Sequence, residues 1–309
     1  MSLVVVGSIA FDSVRTPFGE RERMLGGSAV HFALAASFFS DVRVVGPVGD
    51  DFGEAEYAVL HARAIDTSDV EHVPGGQTFH WRGRYEYDLN TAHTEDTQLG
   101  VFGGFEPKLS DESRAAGMLF LANIQPELQR AVRAQCDRAR LVGLDSMNLW
   151  IETARDSLLQ AIAEVDLVFM NDAEVRMVTE QPNLVRAARQ LLGVGPRAVV
   201  AKQGEYGAAL FTGDRFFSLP AYPLETVVDP TGAGDSFAGG FMGYMASRPE
   251  GAPDDEDELR RAMTYGSVLA SFNVEGFGTE RMERLEREDI ARRYEEFRSI
   301  TALAEVPSA

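Results

Sequence analysis

The chain has 309 residues, with 29 basic against 48 acidic side chains and a formal charge of −19. That length can bury a large core in one α/β domain. The acidic balance argues against nucleic acid or anionic lipid as a partner, because phosphate-rich surfaces are bound by basic ones. Every basic residue except Lys108 and Lys202 is arginine, which fits a high-salt cytoplasm and GC-rich codon usage equally. Cys136 is the single cysteine, so no intramolecular disulfide forms, and no Cys/His spacing suits zinc. No apolar run reaches transmembrane length, and residues 1–10 lack a basic n-region. The expectation is a soluble, cytoplasmic protein.

In chain order, Leu3-Val4-Val5-Val6-Gly7 reads as a buried parallel strand, with Asp12 just beyond its carboxyl end, where open α/β sheets bind ligands. Gly26-Gly27 precedes a segment through Phe39 that is apolar on nearly every side, hence a buried helix. The glycine pair permits close backbone approach to a ligand. His31 lies on that helix, where a neutral hydrogen-bond partner is the better expectation than a base. Residues 42–53 read as strand, turn and helix start. Their Asp51-Phe52-Gly53 has no catalytic His-Arg-Asp loop to accompany it, so the protein-kinase reading fails.

Phe79, Trp81, Tyr85 and Tyr87 alternate with charged residues, giving a strand with one aromatic face. Residues 89–96 are expected to turn the chain and residues 97–102 to run back, forming with residues 14–16 a small separate sheet. From about Ser110 strands and helices alternate, with helices expected at 126–139 and 151–164 and strands at 117–124, 141–144 and 165–170. Such order argues for a doubly wound, mostly parallel sheet with helices on both faces.

Asn171-Asp172-Ala173-Glu174 follows the last of these strands, and as a bare motif Asn171 would simply cap the next helix. Residues 198–208 read as strand, glycine turn and strand, carrying Lys202, Gly204 and Gly207. The most informative stretch is Asp229-Pro230-Thr231-Gly232-Ala233-Gly234-Asp235-Ser236-Phe237, a tight small-residue turn opening a helix. The first turn of a helix has unpaired donors and partial positive charge, which together cradle an anion. An isolated Gly-Ala-Gly-Asp would read as a capped turn. No Walker lysine precedes Ser or Thr, Gly7 stands alone after the first strand, and no Gly-x-Ser-x-Gly is present.

The run Asp229–Phe237 closely resembles the C-terminal signature of the PfkB/ribokinase-type carbohydrate kinases. Gly26–His31 resembles the N-terminal one, and residues 7–12, 42–53, 171–174, 198–208 and 270–278 match further family segments in order. The resemblance implies one ribokinase-like α/β domain over residues 1–309, with a small β lid inserted from about 14–25 and 74–105. It implies an ATP-dependent kinase acting on a primary hydroxyl of a sugar. A nucleoside kinase, or less readily a non-catalytic ligand-binding regulator, is the alternative.

By the same resemblance Asp235 takes the hydroxyl proton, and Gly232, Ala233 and Gly234 hold the migrating charge. Asp12, Gly26, Gly27 and His31 would bind the acceptor, His31 standing where many members have Asn. Asn171, Lys202, Gly204, Gly207 and Thr231 would bind ATP, with Mg²⁺ held through water by Glu174 and Asn171. The resemblance leaves a monovalent cation such as K⁺, and a homodimer through the lid, open. One departure stands out: the loop at residues 145–150 lacks the arginine that the family usually carries there.

Overall fold

A computed structural model describes residues 2–213, 215–249 and 252–302; the remainder of the expected 1–309 domain lies outside the described residues. Its first seven strands are β1 (Leu3–Val6), β2 (Ala10–Thr16), β3 (Gly19–Gly26), β4 (Val42–Val48), β5 (Asp66–His72), β6 (Phe79–Tyr85) and β7 (Ala92–Gln98). The next six are β8 (Met118–Leu121), β9 (Leu141–Asp145), β10 (Leu167–Asn171), β11 (Ala198–Lys202), β12 (Ala208–Thr212) and β13 (Arg215–Leu219).

The central sheet runs β13-β12-β11-β10-β9-β8-β1-β4-β5, parallel except for the β11–β12–β13 meander. Its inner strands are short, β-branched and buried on both faces, as all four residues of β1 are. Helices therefore cover both sides, and two apolar clusters flank the sheet. The doubly wound, mostly parallel architecture expected from the strand–helix alternation is present.

The second sheet, the lid, runs β3-β2-β6-β7. Its β2–β6 pair is parallel and its other pairs are antiparallel. One expectation changes here. Asp12 does follow the carboxyl end of β1, and it lies inside lid strand β2. The return strand is Ala92–Gln98, earlier than the expected 97–102, of which residues 100–102 instead fall in a 3₁₀ turn at Gly100–Gly104. Alternating threonines and charges make β7 a strand exposed along almost its whole length, which an apolar-pattern reading passes over.

The expected helix at 151–164 is two, Asn148–Thr153 and Arg155–Ala163. Ala154 breaks it at φ −144°, and Trp150 Nε1 donates to Asn123 Oδ1 at 3.0 Å.

Behind the sheet the Ala233–Ala246 helix lies between the Ser28–Ala36 and Glu256–Asn273 helices. Its glycines explain the closeness. A Cβ on Gly239 would sit 2.3 Å from Phe32 O, and one on Gly240 2.9 Å from Tyr265 O. The helix is thus wedged backbone to backbone from two sides along its middle turns.

Candidate active site

Two glycine turns start the two facing helices. Gly27 has φ 95°, a backbone region that strains residues with a Cβ, and a Cβ there would lie 2.5 Å from Ser8 O. The donors of the following helix are satisfied. Ser28 N donates to Ser8 Oγ at 3.0 Å and Ala29 N to Ser8 O at 3.0 Å. Asp12 lies across the turn, its Oδ2 2.0 Å from where a Gly26 Cβ would be. Burial first, and then the Asp229 charge, push the Asp12 carboxyl up to about 7, against a hydrogen bond from Gly27 N.

The second turn is built differently. Gly232, at φ 74°, is the N-cap of the Ala233–Ala246 helix and makes no side-chain cap. Ala233 N donates to Pro230 O at 3.2 Å. Gly234 and Asp235, the next residues of the first turn, have no intrahelical acceptor for their N–H groups by position. Asp229 braces the turn from behind, accepting from Thr231 N at 2.9 Å and Gly278 N at 3.2 Å.

His31 lies beneath this turn, its ring 2.3 Å from where a Gly232 Cβ would be. Burial lowers its pKa to about 4, so the imidazole is neutral. Its Nδ1 lies 3.2 Å from Asn273 Oδ1, which also accepts from Ser236 Oγ; Asn273 Nδ2 donates to Thr231 O at 2.7 Å. With Asn273 Oδ1 as acceptor, Nδ1 carries the proton and Nε2 is the acceptor. That buried Nε2 has no protein partner among the described residues.

The charged groups meet at the mouth of the turn. Asp235 is pushed up to about 8, chiefly by burial and then by Asp145, with Lys202 opposing the rise. Lys202 Nζ donates to Asp145 Oδ2 at 2.8 Å and lies 3.0 Å from where a Gly234 Cβ would be. Burial works against the Lys202 charge, but Asp145 and Glu174 outweigh it and hold its pKa above the usual lysine value. Lys202, the last residue of β11, thus pairs with the first residue of the 145–150 loop.

Asn171 and Glu174 form a reciprocal cap: Glu174 N donates to Asn171 Oδ1 at 2.8 Å and Asn171 N to Glu174 Oε2 at 2.7 Å. The structural role read from the bare motif is thus present. It occupies Glu174 Oε2 alone, and burial pushes that carboxyl up to about 7.

A cavity of about 570 Å³ opens beside the second turn, with Lys202, Gly204, Gly207, Tyr222, Gly234 and Val274 in its lining. Gly204 and Gly207 both have positive φ, 56° and 100°. Lys202, Gly204 and Gly207 line this cavity, whereas Asp12, Gly26, Gly27 and His31 do not.

Sequence reasoning missed Asp145 and Asn273 as partners of Lys202 and His31. Their contacts span 57 and 242 residues, and no local spacing marks them. Tyr85 was placed on the aromatic face, but its contact was not foreseen: its hydroxyl lies 3.2 Å from Thr231 Oγ1, joining lid to turn. Tyr87 falls outside the strand and is 85% exposed. Phe79 stacks on Phe102, and Trp81 lies across Gly83, with its Nε1 donating to Thr94 Oγ1.

Residues 2–284 match the pfkB family carbohydrate kinase model. A cytidine kinase of Thermococcus kodakarensis is 33% identical over 257 residues, covering 81% of this chain and 90% of that protein. Among solved structures, a nucleoside kinase of Methanocaldococcus jannaschii aligns with TM-score 0.77 at 20% identity, over 96% of this chain and 98% of its own. An Arabidopsis thaliana ribokinase complexed with ribose and ATP aligns with TM-score 0.76 at 21% identity, over 94% and 98%. The match over nearly its whole length makes this chain a member of the pfkB family of carbohydrate kinases.

Proposed function

We propose that the protein transfers the γ-phosphoryl group of ATP to a primary hydroxyl of a sugar. The observation that carries this reading is the open N-terminus of the Ala233–Ala246 helix. It lies at the edge of a nucleotide-sized cavity, with the Asp235 carboxyl and the Lys202 ammonium beside it. Phosphoryl transfer asks for positioning and charge stabilisation more than for covalent chemistry, and a rigid donor cluster with one cation supplies both.

Asp235 accepts the hydroxyl proton as the acceptor oxygen bonds to the γ-phosphorus and the bond to the β–γ bridging oxygen breaks, releasing ADP. The Gly232–Gly234 turn faces the transferring group, with Gly234 N–H the donor least committed elsewhere. Ala233 N–H joins if its bond to Pro230 O loosens. Lys202 balances charge on the phosphates, with Gly204, Gly207, Asn171 and Thr231 completing the nucleotide site. Asp12, Gly26 and Gly27 hold the sugar, with His31 belonging to the same acceptor site from beneath the Gly232 turn. Glu174 Oε1 and Asn171 suit a hydrated magnesium ion, which would neutralise phosphate charge.

The identity to a cytidine kinase favours a nucleoside as the molecule that presents the hydroxyl. A pure binding protein has no use for Asp235 at this point, which disfavours the regulator. No described helix is long and apolar enough to cross a membrane; a cytoplasmic site of action belongs to the same reading. Activation by K⁺, dimerisation through the lid, and action as a single domain with the lid inserted at 14–25 and 74–105 belong to the same reading. Potassium titration, light scattering and limited proteolysis check them in turn. The main test is ADP release with Mg-ATP across a panel of nucleosides and free sugars. Acceptor-dependent release supports the proposal, and silence with tight ligand binding favours a regulator.

A further inference from the structure

The geometry points to the tip of the lid as part of the nucleotide site: we infer that Asn90, with Glu205, binds the ribose hydroxyls of the nucleoside triphosphate. The inference rests on the kinase reading above. It assigns to the lid a second ligand besides the acceptor beneath it.

Residues 86–91 join β6 to β7 at the far end of the lid from Asp12. Asp88, Leu89 and Asn90 line the same 570 Å³ cavity as Lys202, Gly204 and Gly234. The tip is built to reach there. Tyr85, at the end of β6, is fixed to Thr231 through its hydroxyl at 3.2 Å. Leu89 N then donates to Glu86 O at 3.0 Å, and Asn90 N to Asp88 Oδ1 at 3.3 Å, closing a local turn. Leu89 takes φ 57°, an unfavourable conformation for a residue with a side chain, and such strain concentrates where a ligand is clamped.

Asn90 lies directly on the glycine of the nucleotide-side turn. Its Oδ1 is 2.9 Å from where a Gly204 Cβ would be, and its Nδ2 reaches Glu205 Oε1 at 3.4 Å. That bond is near the limit of length and is readily exchanged for a bond to a ligand. Charge sorts the rim. Asp88 and Glu205 make this end acidic, so it repels phosphates and accepts from hydroxyls, while Lys202 marks the phosphate end. Asn90 offers an NH₂ that donates and an oxygen that accepts, and each hydroxyl of a ribose diol can donate and accept in return.

One sheet then touches both ligands, so nucleotide and acceptor binding assist each other through lid closure, by the same factor in each direction.

The test is calorimetric titration of Mg-AMPPNP, without acceptor, into the full chain and its Asn90→Ala variant, repeated with the 2′,3′-dideoxy analogue. Loss of one such hydrogen-bonding side chain predicts about five-fold weaker AMPPNP binding. The penalty for removing the ribose hydroxyls should shrink by the same factor in the variant. Independently, Mg-AMPPNP alone should slow amide hydrogen exchange at residues 85–92 in the unmutated protein. Equal affinities, together with exchange at the tip that nucleotide does not alter, overturn the inference while leaving the kinase reading intact. No AMPPNP binding by the unmutated protein overturns both.

Discussion

The two glycine turns look alike in sequence and differ in what they leave available. Each precedes a buried helix, and each has a glycine at positive φ, 95° at Gly27 and 74° at Gly232. At the first, Ser8 and Ser28 satisfy the early helix donors reciprocally, and a carboxylate lies over Gly26. At the second, no side chain caps the helix, and the Lys202 cation stands beside the Asp235 and Asp145 carboxyls. A closed turn beneath an acceptor group suits hydroxyls. An open one beneath a cation suits an anion. Local glycine spacing does not decide this; partners at distant positions do.

The comparison can be broken most severely at Lys202. Lys202→Met leaves Asp145 buried without its partner and removes the cation from the phosphate side. We expect kcat/KM for ATP to fall by about 10²–10³-fold, as for loss of a preorganised charge-stabilising group. A loss below three-fold would show that the open turn works without it.

Exchanging glycine for alanine separates the turns. Gly232→Ala drives a Cβ into the His31 ring and strains a left-handed backbone, costing about 1–3 kcal/mol of stability with loss of turnover. A Cβ on Gly26 meets the Asp12 side chain first, its Oδ2 at 2.0 Å, so Gly26→Ala should raise KM for the acceptor and leave ATP binding unchanged. Thermal unfolding and steady-state kinetics on the pair check this. Equal behaviour would erase the distinction.

A pH profile sharpens it. Asp235 must be ionised to accept a proton, and in the free protein it titrates at about 8, with Asp12 and Glu174 at about 7. The acceptor kcat/KM should therefore climb with pH to a plateau above about 8. Lys202 opposes the rise in the Asp235 pKa, so in Lys202→Met the limb moves to higher pH. A flat profile from 6 to 9 would contradict the assignment.

The same shift has a smaller consequence for stability. A carboxyl whose folded pKa exceeds its unfolded one binds more protons when folded. The ligand-free protein is therefore stabilised at low pH and loses that contribution as pH rises toward about 8. Asp235→Asn should consequently raise Tm relative to the unmutated protein at pH 8 by more than it does at pH 4.

Much of the central sheet was legible because buried parallel strands are β-branched runs ending in glycine or a polar residue. The lid was legible only in part. Phe79, Trp81 and Tyr85 announce β6, whereas β7 hides its strand in Thr, Glu and Asp that face solvent on both sides. Within the site, Asp12, His31, Lys202 and Asp235 could be picked out, but not how they are paired. Asp145, Asn273 and the Tyr85–Thr231 bond became visible only when the fold brought distant segments together. Lys202 shows why: its partner Asp145 is 57 residues away, at the end of β9, and only the sheet order brings the ends of β9 and β11 within reach of each other.

The central claim is that phosphoryl transfer occurs at the start of the Ala233–Ala246 helix, with Asp235 as the base. Asp235→Asn tests it most directly, by titrating Mg-AMPPNP and measuring acceptor-dependent ADP release on the same preparation. The account predicts nucleotide affinity within about three-fold of the unmutated protein, with kcat lower by about 10²–10⁴-fold. Full turnover in that variant would contradict it.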